Sequence, residues 1–207
     1  MKKPYPTNIP TIKACKGCNE EFALDEEYFA AFLSAVISGS TKPDDQVLPS
    51  AANSFSTNSG GLRDRIQRSQ VLQTCLDLGV EERLVWMPEF DRIKRVIVKN
   101  ARGHGYYELG DPNEVAGCPT SAWATTLDNI TKDQENGFFS SEPGLVGWPE
   151  VGSRAMIRAI EGQDLQDGWI VVQENVYRYS VEQGTRVRSV LFEHVITEVV
   201  WDDDIGI

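Results

Sequence analysis

The stretch GWIVVQENVYRYSVEQGTRVRSVLFEHVITEVVW, residues 168–201, decides the fold class. It breaks into four runs rich in Val, Ile, Tyr, Phe and Trp: Gly168–Gln173, Val176–Val181, Thr185–Phe192 and His194–Trp201. Branched and aromatic side chains suit a pleated, half-buried surface. The connections between runs are short, and Gly184 separates two of them, as hairpins require. The pattern predicts an antiparallel meander. In the third run, alternation places Arg186 and Arg188 on one face, with Val187, Ser189 and Leu191 on the other.

Helical periodicity lies earlier in the chain. Phe29, Phe32, Leu33, Val36 and Ile37 recur at spacings of three and four, which predicts a helix. Asp25, Glu26 and Glu27 stand where its N-terminus would favour acids, and Gly39 is a natural stop. Residues 38–61 are rich in Ser, Thr, Asn, Gly, Pro and Asp, and read as a long exposed loop. A second helix is expected over about 62–78, ending at Gly79. A third is expected over about 89–102, its stripe Ile93, Val96 and Ile97 reaching towards His104. Residues 103–150 hold many turn formers and little periodicity, and a short helix is expected over 154–160. With helices early and strands late, the class is α+β: N-terminal helices with a C-terminal antiparallel β-meander. The organisation expected is a segment 1–38, a flexible loop 39–61 and an α+β body 62–207.

Of the 207 residues, 41% are hydrophobic and 25% charged, which marks a folded chain rather than a disordered one. No apolar run approaches the roughly 18 residues that cross a membrane. The start Met1–Pro6 lacks the apolar stretch of a secretory signal, so a cytoplasmic location is expected. The net charge of −11 repels a phosphate backbone. Contact with nucleic acid would need a local basic patch, from Arg63, Arg65 and Arg68 or from Arg92, Lys94, Arg95, Lys99 and Arg102. Of these, Arg92, Arg95, Lys99 and Arg102 are the candidate binding residues, and a solvated helix face is the competing reading.

Cys15-Lys16-Gly17-Cys18 carries the sharpest local chemistry. Two thiolates at this spacing can hold one zinc ion, with Gly17 allowing a tight turn. A structural zinc site needs four ligands, and Cys75, Cys118, His104 and His194 are not at ligand spacing. Cys15 and Cys18 are therefore candidate ligands of half a site, which a second copy would complete across a two-fold axis. The competing reading is a pair of reduced thiols.

The residues around that pair, Lys3-Pro4-Tyr5-Pro6-Thr7-Asn8, Ala14-Cys15-Lys16-Gly17-Cys18-Asn19 and Leu24-Asp25-Glu26-Glu27-Tyr28-Phe29, resemble a bacterial family of HNH-endonuclease-like proteins. The likeness continues thinly through Ala101–Leu109 and Val190–Asp202. It implies metal-dependent hydrolysis of nucleic acid, with structural zinc on the cysteines and magnesium or manganese at the scissile phosphate. It also implies that Asn8 is the central, loop-orienting Asn and Asn19 the final position near the metal. Family members carry an earlier Cys-x-x-Cys and an Asp-His pair ahead of the Lys-Pro-Tyr-Pro segment. This sequence has neither, so the resemblance implies an incomplete catalytic set. His104, beside Arg102, is the candidate substitute for the missing histidine. The alternative is a non-enzymatic acidic interaction or regulatory protein, phage- or defence-linked, with a protein partner or a homodimer in place of nucleic acid.

Overall fold

In the computed structural model, which describes residues 15–57, 61–75, 81–111, 115–140, 153–161, 165–166, 168–182 and 186–201, the chain divides into two units, Cys15–Val96 and Ile97–Ile207. The first unit opens with helix α1, Lys16–Ser38. It starts nine residues before the acidic run expected to mark its N-terminus, so Asp25, Glu26 and Glu27 lie inside it. Its end is as expected. Gly39 takes φ 65°, and the pair of bonds Gly39 N–H to Val36 O and Ser40 N–H to Ala35 O closes the helix. Phe29, Phe32 and Leu33 are buried, together with Tyr28, Ala31 and Ala35.

The expected loop over 39–61 holds a single 3-10 turn, Pro43–Asp45, and helix α2, Pro49–Thr57. Pro49 occupies the first helical position, where its missing N–H costs nothing, and Ala51 and Phe55 are buried. The buried Leu48 N–H donates to Ser34 Oγ of α1 at 3.2 Å. Helix α3, Gly61–Arg68, is followed directly by strand β1, Gln70–Cys75, which pairs antiparallel with β2, Glu81–Trp86. Of the helix expected over 62–78, the part to Arg68 is helical and 70–75 is strand, while 76–78 lie outside the described residues. There the backbone of 70–75 takes up the ladder with β2, with Val71 opposite Val85, in place of further helical turns.

Helix α4, Phe90–Leu109, runs seven residues beyond the expected end at 102, and Gly110 stops it at φ 83°. It therefore absorbs Gly103 and Gly105. The second has a packing reason: a Cβ at Gly105 would lie 2.6 Å from Val115 Cγ1, and Val115 is buried.

In the second unit a six-stranded antiparallel sheet has the order β3-β8-β7-β6-β5-β4. The expected meander is present as β5 Trp169–Gln173, β6 Tyr177–Glu182, β7 Arg186–Leu191 and β8 Val195–Val200. The short β4, Leu165–Gln166, forms one edge. The opposite edge is β3, Ser121–Thr126, from the region of many turn formers and little periodicity. The same region holds α5, Lys132–Phe139, with a full capping box between Thr131 and Gln134. Helix α6, Arg154–Glu161, lies where a short helix was expected.

The sheet is covered on both faces. His104 and Glu108 of α4 meet Tyr177 and Tyr179 of β6 on one face. On the other, Phe138 of α5 packs with Trp169, Val190 and Ile196. Strand β7 is buried from Val187 through Val190. Arg186 and Arg188 share a face as expected, and on that face Arg188 is 1% exposed. No helix among the described residues is long and apolar enough to cross a membrane.

Gly105→Ala should destabilise the chain by roughly 1–3 kcal/mol through overpacking against Val115, in spite of alanine's better helix propensity. Gly137→Ala in α5, where a Cβ meets open space, should instead stabilise by up to about 1 kcal/mol. Urea unfolding of the two variants checks both signs.

Candidate functional site

Asp25, buried on α1, is the centre of the charged cluster in the first unit. Arg92 Nε donates to its Oδ1 at 2.5 Å and Arg95 Nε to its Oδ2 at 2.6 Å. Arg92 also donates to Leu24 O at 2.9 Å, and its guanidinium lies 4.9 Å over the Tyr28 ring. The Tyr28 hydroxyl accepts the Glu89 N–H at 2.8 Å, and Arg65 forks onto both oxygens of Glu89. The bond from Arg95, then that from Arg92, holds the Asp25 carboxyl below its ordinary value against the cost of desolvation. Two of the expected phosphate-binding cations are thus turned onto an internal carboxylate.

The cysteine pair is not the loop knuckle expected. Cys15 is exposed just ahead of α1, and Gly17 and Cys18 lie in its first turn. Asn19 is exposed on the same helix, its N–H bonded to Cys15 O at 3.0 Å. Among the described residues no three His, Cys, Asp or Glu converge as a metal-holding group. Asn8 lies outside the described residues.

In the second unit His104 is drawn against the sheet. Its ring stacks on Tyr179 at 3.8 Å and 19°, and its Nε2 shares a hydrogen bond with the Tyr177 hydroxyl. Burial lowers its pKa to about 4 and pushes Tyr177 up to about 12. An imidazole with an engaged nitrogen and low basicity is poorly suited to take a proton from water. Arg102 Nε donates to Val115 O at 3.1 Å and its Nη2 to Gly117 O at 2.9 Å, which ties the 115–117 segment to α4. Lys99 is half-buried on the same helix.

Three charged groups with no sequence signal of their own dominate this unit. Glu108, 2% exposed, accepts from Arg158 Nε at 3.0 Å, Arg158 Nη2 at 3.2 Å and the Tyr179 hydroxyl at 2.6 Å. It lies one turn after His104, so the spacing of the two was visible but their burial was not. On the opposite face Arg188 bonds Glu182, Phe138 O and Ser140 O, and so caps the C-terminal end of α5. Its Nε is buried without a partner.

The third group is Arg178. Its guanidinium lies 5.1 Å from the Phe139 ring and 5.2 Å from that of Trp169, and forks onto Glu193 at 3.1 and 2.7 Å. Together with Val171, Gln173, Glu174 and Asn175 the pair lines a cleft of about 180 Å³. Phe192 and Glu193, the centre of the β7–β8 turn, have φ of 55° and 49°, and Asn175 in the β5–β6 turn has 56°. Asn tolerates that region, whereas a residue such as Phe192 held there costs of order 1–3 kcal/mol. A partly exposed ion pair returns at most about 1 kcal/mol. The pair therefore does not offset the strain of the turn that presents it.

No protein family, characterised protein or solved structure matches the chain.

The titrating groups fix the expected pH dependence. His104 titrates near 6.5 unfolded and near 4 folded, so the unfolded chain takes up the proton first. Stability should be full above about pH 6.5 and decline as pH falls towards about 4. His104→Gln should remove that decline, which urea midpoints across this range would register. Asp25 contributes in a lower window. Its stabilisation is present above the unfolded value of 3.8 and lost as pH falls through the lower folded value. Asp25→Asn should flatten the acid limb below pH 4 and lower stability at neutral pH.

Proposed function

We propose that this protein is an HNH-nuclease-related scaffold that acts in the cytoplasm by binding rather than by cutting. The observation that carries this reading is the use made of Leu24–Phe29, a distinctive part of the resemblance. Asp25 and Tyr28 bind Arg92, Arg95 and Glu89, and so fix α1 to the start of α4. A stretch used in this way supports a mounting role for the cysteine-bearing helix. Arg92 and Arg95 are committed to Asp25 and Arg102 to backbone carbonyls, which leaves them little to offer a phosphate. The net charge of −11 favours a basic protein surface as partner.

In this reading zinc on Cys15 and Cys18 is structural and shared between two copies. Magnesium or manganese enters only where nucleic acid is cut.

Zinc content, mass by gel filtration and nuclease activity on one purified sample test the proposal. The expected result is about half a zinc per chain, a dimer that halves in mass on chelation, and no cleavage of plasmid or single-stranded RNA with magnesium or manganese. Metal-dependent cleavage that disappears in Asn19→Ala would overturn the binding reading. Unchanged mass on chelation would overturn the shared zinc site.

A further inference from the structure

We propose that the cleft at Arg178 is a binding site for an α-amino carboxylate, with Glu193 holding the place of the ligand's carboxylate when the site is empty. The inference stands apart from the nuclease relationship and rests on the second unit alone.

The guanidinium is prepared for such a group. It lies beside the adjoining rings of Phe139 and Trp169, at 5.1 and 5.2 Å, and it presents Nε and Nη2 as a fork. A fork fixed by its surroundings loses little freedom on binding and matches a carboxylate at both oxygens. The group now in the fork is itself a carboxylate, and it is 38% exposed.

That carboxylate is also held under strain. Phe192 and Glu193 both take left-handed conformations, and Phe192 N–H bonds Val176 O at 2.8 Å, beside the left-handed Asn175. All the non-glycine residues of positive φ among the described residues gather at this end of the sheet. Strain concentrated around one cleft is a mark of a clamp or switch.

The other lining groups set the ligand class. Gln173 and Asn175 bring amides to the wall, while Glu174 and the displaced Glu193 add negative charge. A plain anion would meet two carboxylates there. A zwitterion answers both signs, with its carboxylate on Arg178 and its ammonium towards Glu174 and Glu193. A cleft of about 180 Å³ suits a small amino acid or the free end of a peptide.

Titration of the full chain with L-alanine, followed by amide and indole shifts in two-dimensional NMR, tests the site. Saturable shifts at Asn175, Glu193 and the Trp169 indole are expected, about tenfold weaker with N-acetylalanine or acetate and lost in Arg178→Gln. Glu193→Asn removes the resident carboxylate with a residue that tolerates the left-handed region. It should keep the fold, read by its thermal melt, and still bind. Absence of saturable shifts in both wild type and Glu193→Asn would overturn the proposal. So would shifts that survive in Arg178→Gln, or acetate binding as tightly as alanine.

Discussion

Glu108 lies at 2% exposure with two bonds from Arg158 and one from Tyr179, and the second unit is organised around its charge. A carboxylate taken out of water costs several kcal/mol unless it is paired and hydrogen-bonded. Its three donors come from two other elements, α6 and β6. None of the three can settle alone: α4 buries Glu108 only where Tyr179 is on the strand below and Arg158 is on the helix beside it. The fit rests on two periods. Residues 104 and 108 share a helix face at a spacing of four, and residues 177 and 179 share a strand face at a spacing of two. That coincidence puts His104 over Tyr179 and brings Glu108 within reach of the same ring's hydroxyl.

The opposite face repeats the theme with the sign reversed. Arg188 enters the apolar layer of Phe138, Trp169, Val190 and Ile196, and finds Glu182 and the last carbonyls of α5. One strand apart, Arg186 and Trp123 both donate to Glu198. Buried charge of this kind adds little net stability over an apolar core, but it penalises any register that leaves a group unpaired. A one-residue slip of β7 would move Arg188 to the face of Glu108 and Arg158 and leave both faces mismatched.

The first unit spends its arginines in the same way. Arg92 and Arg95 close on Asp25, Arg65 closes on Glu89, and Tyr28 joins the two pairs. Three of the cations that looked like a nucleic-acid stripe, Arg65, Arg92 and Arg95, are therefore ties within the unit. The left-handed turn beside Arg178 is different, because its ion pair returns less than its strain costs.

The sequence by itself determined the α+β class, the limits of β5 to β8 to within about two residues, and the stop of α1 at Gly39. These are signals of local period and turn chemistry, written in neighbouring residues. The Thr131–Gln134 capping box is legible on the same terms, as a Thr three residues before a Gln. Of the candidate site, the sequence offered the residue types but not their use. Asp25 finds its arginines 67 and 70 positions away, and Glu108 finds Arg158 and Tyr179 at 50 and 71. Pairing with 81–86 likewise turned 70–75 into a strand, and β3 became an edge only because β8 returned beside it. Tertiary structure alone decided which charges are buried and which strands pair, because the energy of each depends on a partner that local sequence does not contain.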